Sequence, residues 1–125
     1  MTIDQAIAMC DALRPNRYPR ALKIGWLGKL DGRLFRELLM THADCPADSF
    51  EGYDASTDGT TELLVPDPYA QDIYNYFLQA QIDKENGETT RYNQSITMYN
   101  SSFRAFANDY HRTHLPLSVG SRFVF

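Results

Sequence analysis

The segment Glu88–Thr113, ETTRYNQSITMYNSSFRAFANDYHRT, constrains the chain most. Its large residues stand at Tyr92, Ile96, Tyr99, Phe103, Phe106 and Tyr110, in steps of four, three, four, three and four. A strand would alternate at every second residue, whereas this spacing puts all six on one face of a long helix. Asn93, Gln94, Ser95, Asn100, Ser101, Arg104 and Asp109 fall between them and form a back face that tolerates water. Most of the stripe is aromatic, and each ring can bury on the order of 150–250 Å². The stripe is therefore expected to be core, with Phe103 at its centre buried against the preceding helix.

That preceding helix is expected to open at Asp67, a good N-cap, with Pro68 as its first residue. It runs to about Asn86, with Tyr69, Ile73, Tyr76, Phe77, Ala80 and either Gln81 or Lys84 on its inner side. Asn86-Gly87 closes it, because glycine accepts the left-handed geometry of a helix end. Glu88 and Thr89 start the next helix at once, which forces the two into an antiparallel hairpin.

Upstream, Thr2–Leu13 reads as a helix. Thr2 and Gln5 have the spacing of a capping box, and Ile3, Ala6, Ile7, Cys10 and Leu13 share a face. Pro15, Asn16 and Pro19 break the chain. A second helix over Pro19–Met40 carries the stripe Leu22, Trp26, Leu27, Leu30, Leu34 and Leu38, with Phe35 beside it. Gly25, Gly28 and Gly32 each cost roughly 0.5–1 kcal/mol inside a helix. They imply either a bend, with a break near Asp31-Gly32, or close approach of another backbone. The expected fold is all-α: a small helical bundle of about four helices with a long central antiparallel hairpin, spanning residues 1–114. A long acidic loop covers 41–67, and an extended C-terminal arm covers 115–125. The expected core is Trp26, Leu30, Leu34, Ile73, Phe77, Tyr92, Ile96, Tyr99, Phe103, Phe106 and Tyr110.

The loop holds Asp44, Asp48, Glu51, Asp54, Asp58 and Glu62, but their spacing does not match a calcium-binding loop. It reads as a solvated loop, with Leu63-Leu64-Val65 as a short strand or an extended anchor into the core. The arm, LPLSVGSRFVF, begins beyond the stop imposed by Pro116. It either folds back on its own domain or docks on a neighbour as an added strand or plug. Leu117, Arg122, Phe123, Val124 and Phe125 are its candidate contact residues.

Chemistry is thinly represented. His111 and His114 are three apart, as are His42 and Cys45, but neither pair completes a zinc ligand set. Histidines near a helix C-terminus also suit the helix dipole. The chain has no glycine-rich phosphate loop, no Gly-x-Ser-x-Gly and no acid pair on a known template. No catalytic residue, cofactor or metal is expected, and the chain does not read as an enzyme. A net charge of −4 argues against tight sequence-independent binding to nucleic acid. No apolar run approaches the roughly 20 residues that span a membrane. The opening MTIDQAIAMC lacks the layout of a signal peptide. Synthesis in a cytoplasm is expected, with Cys10 a buried free thiol and Cys45 a free thiol in the loop.

A family resemblance then becomes visible. It rests on Glu62-Leu63-Leu64-Val65-Pro66-Asp67-Pro68-Tyr69, Tyr76, Ala80-Gln81-Ile82-Asp83, Asn86-Gly87-Glu88, Arg91-Tyr92-Asn93 and Tyr110-His111-Arg112-Thr113-His114, with Trp26-Leu27 and Leu30-Asp31-Gly32 upstream. This pattern resembles the small neck proteins of tailed bacteriophages and prophages, the head-tail connectors or adaptors. The resemblance implies a helical subunit of the virion neck, made in the bacterial host cytoplasm. It implies a homo-oligomeric ring beneath the portal protein that continues the DNA channel to a downstream neck or tail protein. DNA would pass through without specific binding, and no catalytic residue is implied. The alternative is a small acidic helical regulatory or interaction protein that binds a phage or host partner.

Overall fold

A computed structural model of the chain describes residues 1–42 and 49–114. Their regular structure consists of α1 (Ile3–Leu13), α2 (Arg20–Glu37), a short 3-10 turn (Leu39–Thr41), α3 (Tyr69–Glu85) and α4 (Thr89–Thr113). The protein is a small all-α bundle. The contacts expected of Leu117, Arg122, Phe123, Val124 and Phe125 lie outside the described residues, as do Asp44, Cys45 and Asp48.

The start of α1 is closed from two directions. Thr2 and Gln5 form the capping box, the Gln5 N–H reaching Thr2 Oγ1 at 3.2 Å and the Thr2 N–H reaching Gln5 Oε1 at 2.9 Å. The remaining first-turn donors, Ile3 and Asp4, bond to the carbonyls of Thr61 and Gly59 at 3.1 and 3.0 Å. A loop distant in sequence thus satisfies donors that every helix leaves open.

α2 runs unbroken through Asp31-Gly32, so no break forms there. Close approach of another backbone is seen at Gly28, whereas Gly25 has nothing within 4 Å and Gly32 meets side chains. A Cβ on Gly28 would stand 3.2 Å from the Tyr53 backbone nitrogen, and one on Gly32 would stand 3.6 Å from the Phe50 ring. Leu22, expected on the inner face, is exposed. It lies five residues before Leu27, roughly 140° around a helix that turns 100° per residue.

α3 begins at Tyr69, and Asp67 is not its N-cap. The Asp67–Pro68 peptide is cis, and Pro68 occupies the cap position. The Pro66 carbonyl lies under the first turn and accepts from both Tyr69 and Ala70 at 3.1 Å, and no side chain caps the helix. The far end closes as the sequence pattern requires. Gly87 adopts a φ of 73°, its N–H meets the Lys84 carbonyl at 3.1 Å, and the Glu88 N–H meets the Asp83 carbonyl at 2.9 Å. This is the paired bonding of a Schellman turn, and it reverses the chain into α4.

α3, rather than α4, is the middle of the bundle. It packs against α1, α2 and α4, while α4 packs along α3 alone of the helices. Trp26, Leu30, Leu34, Ile73, Tyr99, Phe106 and Tyr110 are buried. Phe77, Tyr92, Ile96 and Phe103, also expected in the core, are only half-buried. The reason is rotational. The line of α4 facing α3 runs through Ser95, Tyr99, Phe106 and Tyr110. Phe103 precedes Phe106 by three residues, which sets it roughly 60° towards solvent. Phe77 lies on the matching flank of α3, its ring centroid 5.4 Å from that of Tyr99. Tyr74, Leu78 and Ile82 are fully buried on another side of α3, because that helix is covered from several directions.

These depths order the expected costs of truncation. Phe106→Ala should destabilise by about 3–5 kcal/mol, and Phe103→Ala by less than half of that. Denaturant titration of both variants checks the order; a reversed ranking would show that the flank, not the inner line, carries the core.

Candidate functional site

The most organised polar group lies inside the bundle. Asp31 is fully buried on α2. Its Oδ1 accepts from the Tyr74 hydroxyl at 2.6 Å, and its Oδ2 accepts from the Tyr53 hydroxyl at 2.6 Å and the Leu64 N–H at 3.0 Å. The Tyr74 oxygen in turn accepts from the Val65 N–H at 2.8 Å. Burial pushes the Asp31 carboxyl above its ordinary range, and the three hydrogen bonds pull it back only in part. Burial, with the neighbouring Asp31 charge, also raises the hydroxyls of Tyr53 and Tyr74, so both stay protonated and donate.

This network settles the form of Leu63-Leu64-Val65. The segment is an extended anchor, not a strand. Its three N–H groups go to unlike partners: the Met1 carbonyl at 2.9 Å, Asp31 and the Tyr74 hydroxyl. Leu63 and Val65 are buried, while Leu64 between them points to a cavity, as alternation in an extended chain dictates.

A second polar cluster joins α1, α3 and α4. Asp83 is fully buried, accepts from Ser95 Oγ at 3.0 Å and pairs with Arg14 Nε at 3.5 Å; Arg14 also donates to Gln79 Oε1 at 2.9 Å. Nearby Lys23, itself buried, pairs with Asp11 at 2.7 Å. Cys10 is a buried free thiol whose pKa is pushed up to about 12, chiefly by burial. It is therefore a poor nucleophile at neutral pH.

The cavity that Leu64 lines has a volume of about 390 Å³ and lies between the end of α4 and the Pro66–Pro68 segment. Tyr69, Phe106 and Tyr110 form its aromatic wall, and Asp67, Asp109 and His114 also line it. The Tyr69 and Phe106 ring centroids are 5.5 Å apart, and the His114 ring stacks on Tyr110 at 3.7 Å with 10° between planes.

All three histidines of the chain gather here. His42 Nδ1 lies 2.7 Å from the Leu38 carbonyl, which can only accept, so Nδ1 carries the proton. In neutral His42, Nε2 is then the acceptor, and His111 Nδ1, 3.1 Å away, donates to it. His114 Nδ1 lies 3.0 Å from the Tyr110 carbonyl, the dipole-complementing position expected of a histidine at a helix end. The cluster is a hydrogen-bonded one, with both nitrogens of His42 engaged. Among the described residues no group of three or more His, Cys, Asp or Glu is placed to hold a metal. Two of the described loop carboxylates serve their own turns, and Glu62 pairs with the Met1 amino group at 3.1 Å. Asp54 accepts from the Ser56 hydroxyl at 2.6 Å and the Ser56 N–H at 2.9 Å, and Asp58 from the Thr60 N–H and hydroxyl, both at 2.9 Å, which holds both carboxyls below their ordinary range. No helix among the described residues is long and apolar enough to cross a membrane.

The arrangement suits binding of a side chain that is both apolar and basic: rings and aliphatic groups form the wall, and carboxylates stand at the rim. The sequence reading placed Phe106 and Tyr110 on one face but did not foresee the cavity, since its other wall comes from Pro66–Pro68. It also missed Asp31 and Tyr74 as a pair. A signal existed for Asp31: Leu27, Leu30, Asp31 and Leu34 have the i, i+3, i+4, i+7 spacing of one buried face. Compared with known proteins, the chain matches no family model, no curated protein and no solved structure.

Asp31→Ala leaves the Leu64 N–H and two tyrosine hydroxyls without their buried acceptor, at a cost of at least about 3 kcal/mol. Because the folded-state pKa of Asp31 is raised, its contribution is full below the ordinary carboxylate value and is lost as pH rises through the folded value. The gap between wild type and Asp31→Ala should therefore narrow as pH rises across that window, measured by urea titration at several pH values; a widening gap would reverse the assigned shift. Dialysis against a chelator should leave the melting temperature unchanged, and a large drop would point to a metal.

Proposed function

We propose that the protein is a structural subunit of a phage neck, a head-tail connector or adaptor. In this reading it forms a homo-oligomeric ring beneath the portal protein, continues the DNA channel towards a downstream neck or tail protein, and resides in the virion neck. The observation that carries the proposal is where the family-like residues sit. Asp31, Leu63, Leu64, Val65, Asp83 and Gly87 all belong to the resemblance, and each secures a joint of the bundle. The likeness therefore extends to the residues that hold the fold together.

The outer face of α4 supports the same reading. From Tyr92 to Phe103 the helix carries no Asp, Glu, Lys or Arg, and Asn93, Gln94, Thr97, Met98 and Ser101 are exposed. A rod of 25 residues with a neutral polar face can lie beside identical copies without the repulsion that a repeated charge would bring. The net charge of −4 suits a channel through which DNA slides without being held. The second reading, a small acidic helical interaction protein, is favoured by the aromatic and acidic cavity, which suits one partner side chain without any ring.

Native mass spectrometry and electron microscopy test the choice. Mixed with tailless heads of the phage or prophage that encodes it, the protein should add a ring at the portal vertex. A protein that leaves those heads unchanged and stays monomeric at high concentration would favour the second reading.

A further inference from the structure

The joint between α3 and α4 carries a reactive pair. Asn86 is the one asparagine of the chain that a glycine follows. The side-chain amide of an asparagine is open to attack by the backbone nitrogen of the next residue, and a glycine there has no side chain to hinder it. Both residues are exposed to the water that the reaction consumes. Three features of the fold hold the pair back. Asn86 keeps a helical backbone, with ψ −8°, which turns the Gly87 nitrogen away from the side-chain Cγ. The Gly87 N–H donates to the Lys84 carbonyl at 3.1 Å, and the Glu88 N–H fixes the same turn on the Asp83 carbonyl at 2.9 Å. Asn86 Oδ1 accepts from the Tyr18 hydroxyl at 2.6 Å. Tyr18, in the link between α1 and α2, is itself held edge-on to Trp26, with ring centroids 6.1 Å apart.

We propose that Asn86 is a site of spontaneous deamidation whose rate is set by opening of the α3–α4 turn, with Tyr18 as the latch. Opening frees the Gly87 N–H and lets the backbone of Asn86 rotate until the peptide eclipses its Cβ. The Gly87 nitrogen then passes its proton to water or hydroxide and bonds to Cγ. The bond from Cγ to Nδ2 breaks, and that nitrogen leaves as ammonia. The succinimide ring takes up one water. Cleavage between the Gly87 nitrogen and Cγ gives aspartate, and cleavage between that nitrogen and the backbone carbonyl carbon gives isoaspartate. In sum, an amide and water become a carboxyl group and ammonia, with no change of oxidation state. The product fits the turn poorly. Its carboxylate stands at the C-terminal end of α3, where the helix dipole disfavours negative charge, with Glu85 and Glu88 close by in sequence. Isoaspartate also adds a main-chain carbon, which moves the Gly87 and Glu88 N–H groups out of register with their carbonyls. One conversion therefore marks, irreversibly, a copy whose hairpin has opened. The inference is independent of the proposed neck function.

The test incubates the full chain at mildly alkaline pH, folded and in urea, and maps its peptides by mass spectrometry. The amide-to-acid mass shift should appear at Asn86 in urea and at least roughly tenfold more slowly in the folded chain, because the turn must open first. No shift in urea would remove the site, and equal rates in the two states would show that the turn does not guard it. Tyr18→Phe keeps the ring against Trp26 and loses only the hydroxyl. It should speed conversion of the folded chain roughly two- to tenfold, the scale of one hydrogen bond, and leave the rate in urea unchanged; an unchanged folded rate would overturn the latch. A measurement on the wild type stands apart from any variant. Hydrogen exchange of the Gly87 amide should be slowed by about the same factor as conversion of Asn86, since one opening serves both, and a mismatch of more than roughly tenfold would overturn the shared opening.

Discussion

One buried carboxylate holds the two halves of the protein in register. Asp31 lies in the middle of α2 with no exposed surface, yet its partners come from the long loop, from the extended anchor and from α3. A buried charge is costly unless its hydrogen bonds are complete. Here they are completed by groups that also need partners: two tyrosine hydroxyls inside an apolar cluster and a backbone N–H that no sheet satisfies. The Tyr74 hydroxyl passes the arrangement on by accepting from Val65. A segment with no regular structure is thereby fixed by side chains, and the wall of the cavity is fixed with it.

The helices follow from this arrangement. α3 is enclosed because three helices use it as their common surface, so its buried residues lie on more than one face. Among the described helices α4 lies on α3 alone, and it keeps a wet side. Its aromatic residues therefore divide into an inner line and a half-buried flank, where Phe103 meets Tyr99 of the inner line with tilted rings 5.8 Å apart. The same one-sided packing leaves the neutral outer face of α4 open along its length.

The sequence made the helices and their joints legible to different degrees. Spacing, the capping box at Thr2 and the Gly87 turn place four helices and the hairpin, because each of those signals is local. Spacing alone did not orient α4 finely enough to separate Phe103 from Phe106, since only the partner helix decides which edge of a stripe is covered. Asp67-Pro68 has the residues of a helix start, but the Pro66 carbonyl takes that role, a choice made by the path of the incoming chain. The cavity was hidden for a similar reason. Its rings come from α3 and α4, but Leu64 and Pro66 come from a loop with no periodicity to read. The anchor could be read as buried, though not as bonded to Asp31, because a long-range hydrogen bond leaves no trace in spacing.

The closure of α1 by Gly59 and Thr61 bears on how the chain is made. A ribosome releases α1 and α2 well before residues 59–74 emerge. Until then the first-turn donors of α1 lack their carbonyl partners, and Asp31 faces neither tyrosine nor the Leu64 N–H. Domains tend to fold as units during synthesis. In this one the hydrogen bonds of α1 and of Asp31 are completed only by residues 53–74, from the long loop, the extended anchor and α3.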